Sequence, residues 1–207
     1  MIGIDFGLTP AATISQEVAG QWRVLEEVVT EDMGALRFGE LLGSILRGST
    51  YRGYELEIWG DPAGEGRAQT DEKTPFDILR SAGLVADKAP SNDFTLRREA
   101  VAYRLSRLEA GRPAFVLSPT CTLLRKAMAG GYKYRRVQVT GTERFADKPT
   151  KDKFSHVAES LQYAMLGAGE GDMLLGGSMK WYDDWEVPIN RVSHVNENYG
   201  YRRPTTH

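Results

Sequence analysis

The sequence predicts an α/β protein built on a mixed sheet of five or slightly more strands flanked by helices. Three observations carry this. The first thirty residues read as three short strands joined by tight turns, helical stripes then alternate with further strands, and 207 residues with 41% hydrophobic content suffice for one substantial core. A tight turn pairs strands antiparallel, whereas an intervening helix feeds a parallel neighbour, so this order predicts both pairings in one sheet.

Taken in order, residues 2–6, 11–18 and 21–30 are rich in β-branched and aromatic residues and are separated by "GLTP" and "AG", which predicts an antiparallel meander. Residues 33–49 predict a helix, with Leu36, Leu41, Leu42, Ile45 and Leu46 near one stripe. Residues 54–64 return to strand and stop sharply at Gly60–Gly64. Thr74 as N-cap, Pro75 in the first turn and Gly83 at the end delimit a short helix. Residues 91–111 predict a longer one in which Arg97, Arg98, Arg104 and Arg107 read either as a solvated face or as part of an anion-binding surface.

Residues 112–119 read as a buried strand and 120–131 as another short helix. "YKYRRVQVTGTERF" (132–145) alternates aromatic, basic and β-branched residues around Thr140–Gly141, which suits a hairpin or an extended arm. Residues 150–169 form the last helix, with Phe154, Val157, Ala158, Leu161, Ala164 and Met165 inward and a polar stripe of Asp152, His156, Glu159 and Tyr163 beside them. Strand, strand, strand, helix, strand, helices, strand, helices is the order of the ribonuclease H-like fold. The domain is drawn at residues 1–170, with 171–207 as a docked or flexible C-terminal extension.

Composition narrows the function classes. Cys121 is the only cysteine, so an intramolecular disulfide and a cysteine-rich zinc site are excluded. No run of about 18 apolar residues and no leader is visible, which with the lone cysteine predicts a protein of a reducing cytoplasm with no membrane role. Net charge is −2, but it is unevenly spread: residues 1–92 carry 8 Lys and Arg against 15 Asp and Glu, residues 93–153 carry 14 against 6, and residues 154–207 carry 4 against 7. A basic middle third in an acidic chain points to a polyanion, and nucleic acid is the usual one.

Three carboxylates are expected at one end of the sheet. Asp5 closes the first strand, Asp61 closes the fourth, and Glu159 lies on the final helix, which crosses the same end. Singly, they read as a turn cap, a "DPAG" turn and a surface helix residue. Together they make a hard oxygen donor set for magnesium or manganese, and two such ions about 3.5–4 Å apart activate a water and stabilise the leaving oxygen of a phosphodiester.

"GIDFGLTPAATI", "IWGDPAGEGRAQTDEKTPFDIL" and "FSHVAESLQYAML" resemble the three acidic motifs of the C-terminal nuclease domain of tailed-phage terminase large subunits, over roughly residues 1–168. The resemblance implies a ribonuclease H-like endonuclease that cuts concatemeric viral DNA during packaging. It implies Asp5, Asp61 and Glu159 as metal-binding and catalytic acids and His156, the histidine of the "H-x-x-D-A-L-Q-Y" helix motif, as a further catalytic residue. Glutamate stands where the family places aspartate, and Asp152, a turn before His156, is a spare acid. The family's ATPase motor would need a P-loop; none is present, so the chain would be the isolated nuclease domain, and its start inside a strand points to a piece of a longer protein. The implied partners are double-stranded DNA, the ATPase domain, the small terminase subunit and the portal.

Backbone neutralisation beside the acids would fall to Lys133, Arg135, Arg136, Lys148, Lys151 and Lys153. No base-reading module is visible, so weak sequence preference is expected. Three competing readings share features of this sequence. Actin-like kinases open with a similar "G-I-D-x-G-T" but need a second phosphate loop and a longer chain. RuvC-type junction resolvases share the "D-x-G-L-T" start but not "GDPAG" or "HVAESLQY". A catalytically weak ribonuclease H-like domain would bind DNA or protein without cutting.

Overall fold

A computed structural model of the chain describes residues 1–7, 9–65, 73–137 and 144–171. Strands β1 (Ile2–Asp5), β2 (Ala11–Val18) and β3 (Gln21–Val29) form the antiparallel meander. Ala19 and Gly20, both at positive φ, make the two-residue turn between β2 and β3. Helix α1 (Ala35–Arg47) crosses to β4 (Ile58–Gly60), which pairs parallel with β1. Helix α2 (Pro75–Ser81) then leads to β5 (Asp87–Lys88), parallel to β4.

After α3 (Phe94–Leu105) comes a small hairpin of β6 (Leu108–Glu109) and β7 (Arg112–Pro113), and β8 (Phe115–Leu117) joins the open edge of β3 in parallel. The chain closes with α4 (Thr122–Lys126), a π-type turn at Ala127–Gly131, the antiparallel pair β9 (Tyr134–Val137) and β10 (Arg144–Pro149), and α5 (Lys153–Gly167). The main sheet is six-stranded and mixed, in the order β5-β4-β1-β2-β3-β8.

Helices cover both faces, so a central strand such as β1 is buried throughout. Ile2, Ile4 and Ile14 pack with Phe38, Leu42 and Leu46 of α1 and Leu79 of α2. On the other face Trp22 and Val24 pack with Ala100 and Val101 of α3, Leu124 of α4 and Val157, Leu161 and Met165 of α5. Gly3 is where α5 comes closest: a Cβ there would lie 1.8 Å from the Ser160 carbonyl oxygen. Only glycine permits backbone contact at that distance.

Several expectations are corrected in detail. The sixth strand, β5, is a two-residue edge too short to show periodicity, and β4 spans three residues of the eleven expected. Leu36 and Leu41 of α1 are exposed, because the buried stripe runs Phe38, Leu42, Leu46. The third helix ends at Leu105 with Ser106 as its C-cap, and Ala110 and Gly111 then turn the β6–β7 hairpin as Ala19 and Gly20 turn β2 into β3. Of the polar stripe of α5, Glu159 and Tyr163 are buried and Asp152 and His156 half-buried, because α5 packs on β1 and β2 with one side and on α3 and α4 with the other. The Thr140–Gly141 turn, residues 66–72 of the second motif and 172–207 of the extension lie outside the described residues.

Candidate active site

The parallel register of β1 and β4 places Ile4 opposite Gly60, so Asp5 and Asp61 occupy the next step of neighbouring strands at their carboxyl ends. The Asp61 amide donates to the Ile4 carbonyl at 3.1 Å, carrying the ladder one residue past β4. The chain then turns at once: Asp61 Oδ1 accepts from the Ala63 amide at 2.8 Å, an Asx turn that opens the 3₁₀ segment Pro62–Glu65. The glycines of "GDPAG" have a steric role. A Cβ on Gly60 or Gly64 would meet the Phe6 ring at 2.6 Å, and Phe6 in turn packs edge-on against Phe76 with centroids 5.0 Å apart. One aromatic pair therefore clamps the two acid-bearing turns together.

Asp5 is buried, and its Oδ2 accepts from His156 Nδ1 at 2.6 Å. Gly7 makes room for that imidazole, since a Cβ there would lie 2.6 Å from His156 Cε1. Burial pushes the Asp5 carboxyl above its ordinary value; the His156 bond opposes this, the nearby Glu159 charge adds to it, and Lys151 opposes it. Among the described residues no hydrogen bond reaches the other oxygen, Oδ1.

Glu159 lies one turn beyond His156 on α5 and is also buried. Its Oε2 takes Arg97 Nη1 at 3.1 Å and Lys151 Nζ at 2.5 Å, and its Oε1 accepts from the Tyr132 hydroxyl at 3.3 Å. Arg97 is buried as well, donates to Gln162 Oε1 at 3.2 Å and lies over the Tyr163 ring at 4.7 Å. Tyr163 ties the constellation together. Its hydroxyl donates to Asn92 Oδ1 at 3.0 Å, and burial, together with the charges of Asp61, Asp5 and Glu159, drives its pKa far up against the pull of Arg97. No three His, Cys, Asp or Glu among the described residues form a ready-made metal cage. Asp152 is the N-cap of α5, its Oδ1 accepting from the amides of Phe154 and Ser155.

The expected DNA contacts divide. Lys133, Arg135 and Arg136 on and beside β9, Lys148 on β10 and Lys153 at the start of α5 are exposed, with the Lys153 ammonium 5.5 Å from the Phe154 ring. The root of this arm is fixed to α3, because Phe94 packs edge-on against Tyr134 and Arg98 donates to the Tyr134 hydroxyl at 3.2 Å. Lys151 instead reaches inward to Glu159. The arginines of α3 are not one solvated face: Arg97 is inside, and Arg104 bridges Glu170 and Glu17.

Sequence reasoning missed Arg97, Tyr132, Gln162 and Asn92. A signal for Arg97 was present, since Phe94, Ala100 and Val101 at i−3, i+3 and i+4 place it on the apolar stripe, where a cation needs a buried acid. The partners of the other three are set by helix packing and carry no local mark.

No family model matches the sequence, and no curated protein matches it. Among solved structures, the large terminase of a thermophilic bacteriophage superposes with a TM-score of 0.57 at 14% identity, over 84% of this chain and 38% of that one. The chain therefore spans well under half the length of that terminase. The large terminase nuclease of thermophilic phage G20c gives a TM-score of 0.51 at 14% identity, over 79% of this chain and 78% of that one. A cobalt-bound form of the same nuclease gives 0.51 at 12% identity over the same shares of the two chains. Likeness at this identity is a statement about fold: the chain has the ribonuclease H-like α/β fold found in these terminase nucleases.

Proposed function

We propose that the chain is the nuclease domain of a phage large terminase, a divalent-metal-dependent endodeoxyribonuclease that cuts concatemeric viral DNA during genome packaging with little sequence specificity. The observation that carries this reading is the pairing of Asp5 and Asp61 in register at the ends of adjacent parallel strands, with buried Glu159 one turn along α5 from the His156 that bonds Asp5. The fold it shares with the cobalt-bound G20c nuclease supports the same reading.

The donor set suits magnesium or manganese. Asp5 offers an oxygen free of hydrogen bonds within the described residues, Asp61 stands on the neighbouring strand end, and Glu159, kept in place by Arg97, is the third acid once Lys151 yields. Two ions held there would activate a water and stabilise the leaving oxygen. The protein's own part is positioning. His156 fixes the rotation of Asp5, the Phe6–Phe76 pair fixes the two turns, and Tyr163 with Asn92 walls the site. The exposed cations of β9, β10 and the start of α5 would hold the phosphate backbone. The ATPase domain, the small subunit and the portal are the partners this reading implies.

The ion pairs on Glu159 favour one alternative, a domain that binds DNA without cutting. Plasmid cleavage by the full chain with EDTA, magnesium or manganese separates the two. Cleavage switched on by the metal supports the nuclease, whereas a DNA mobility shift with no cutting at any metal concentration supports the binding domain.

A further inference from the structure

Glu159 Oε2 carries two cations of opposite character. Arg97 is held: its side chain is 7% exposed, it spans Glu159 and Gln162, and it lies against the Tyr163 ring. Its departure would strand a buried guanidinium and a buried carboxylate together, which is costly. Lys151 is removable: its side chain is 64% exposed although its ammonium reaches the same oxygen at 2.5 Å. Its backbone is fixed at the foot of the basic arm, where the next amide in sequence donates to Ser155 Oγ at 3.0 Å and the preceding one to the Lys133 carbonyl at 3.0 Å. A lysine stem hinged there swings its head into solvent without opening a cavity. The nearby charges that face it are Glu159, Asp5 and Arg97.

We propose that Lys151 is a stand-in cation: it occupies Glu159 in the metal-free protein, yields that carboxylate to an incoming divalent ion, and transfers its ammonium to a DNA phosphate beside the arm. Arg97 is the positioning residue that keeps Glu159 oriented through the exchange. This rests on the nuclease reading and adds an ordering to it, in which metal and lysine compete for one oxygen while metal and DNA favour each other. A lysine that served only as a phosphate contact would alter metal affinity in the absence of DNA by no more than its distant, screened charge does.

The test is manganese binding by calorimetry to the full chain without DNA, comparing wild type with Lys151→Gln, Lys151→Arg and Lys126→Gln. Lys126 is exposed on α4 and controls for the loss of one positive charge at a distance. Removing the competitor in Lys151→Gln tightens manganese binding by roughly tenfold, the size of one charge-assisted hydrogen bond, while Lys151→Arg stays near wild type and Lys126→Gln changes little. Unchanged or weaker binding in Lys151→Gln, with wild type binding normally, overturns the stand-in role and leaves the nuclease reading intact. If neither wild type nor Lys151→Gln binds manganese, both fall. Thermal melts of each variant confirm the fold, and the exposure of Lys151 makes misfolding an unneeded explanation.

Discussion

Asp5 and Asp61 stand side by side on adjacent parallel strands, one step beyond the Ile4–Gly60 pair, and the amide of one aspartate is bonded to the carbonyl preceding the other. The sheet itself therefore sets their spacing, and no loop has to close to bring them together. A donor pair built this way is preorganised, since the ladder on both strands would have to break to separate it.

Asp5→Asn and Asp61→Asn each lower metal-stimulated plasmid cleavage by at least about a hundredfold, the scale of losing a preorganised charge at the reacting centre. Both also remove the rise in melting temperature that manganese gives wild type. Retained cleavage in either variant would show that the acids are structural.

Asp5→Asn also stabilises the metal-free protein at neutral pH. Burial holds the folded Asp5 pKa above its ordinary value of 3.8, so between those two values the native state binds more protons than the unfolded state. Stability contributed by this group is therefore greatest at low pH and falls as pH rises through that window. Urea midpoints from pH 4 to pH 8 should show the variant gaining on wild type as pH rises, once other carboxylates are accounted for by the difference between the two curves.

Gly3→Ala forces a methyl into the Ser160 carbonyl, so β1 and α5 must separate where both are fully packed. The expected loss is about 3 kcal/mol or more, because the clash is with backbone and not with a movable side chain. Chemical denaturation measures it, and a loss below about 1 kcal/mol would mean that α5 does not sit this close.

Arg97→Met leaves Glu159 buried with its anchor gone and costs about 3–5 kcal/mol, whereas adding Glu159→Gln to it recovers part of the loss. The signature is a non-additive double-mutant cycle in urea denaturation. Additive costs would place the two side chains in separate environments.

Arg135→Gln and Lys148→Gln weaken DNA binding equally for unrelated duplex sequences. Each lowers the slope of log affinity against log salt by about 0.9 if it neutralises one phosphate. Fluorescence anisotropy across a salt series reads both quantities, and an unchanged slope removes that residue from the interface.

How much of this was legible depends on how local each feature is. The meander was legible because alternation and the Ala19–Gly20 turn are encoded within a few residues, and the second Ala-Gly at 110–111 uses the same conformation but sits beside a helical pattern that masked it. The N-cap at Thr74 was legible for the same reason, and the structure adds Asp77 as the reciprocal partner of a capping box. β5 was not, since two residues have no period.

By itself the sequence determined the strand and helix order, the placement of Asp5 and Asp61 at strand ends, and the basic arm, because propensity, turn chemistry and charge act over short stretches. Tertiary structure decided which cations are spent and which are available. The sequence places Arg97 on an apolar stripe but does not name its partner; α5 packs over α3 and makes it the buried counter-charge of Glu159, 62 residues away along the chain. Lys151 shares that carboxylate only because the arm leads into α5 beside it. The cost of burying an unpaired charge chooses partners by distance in space, and that distance exists only once the helices have packed on the sheet.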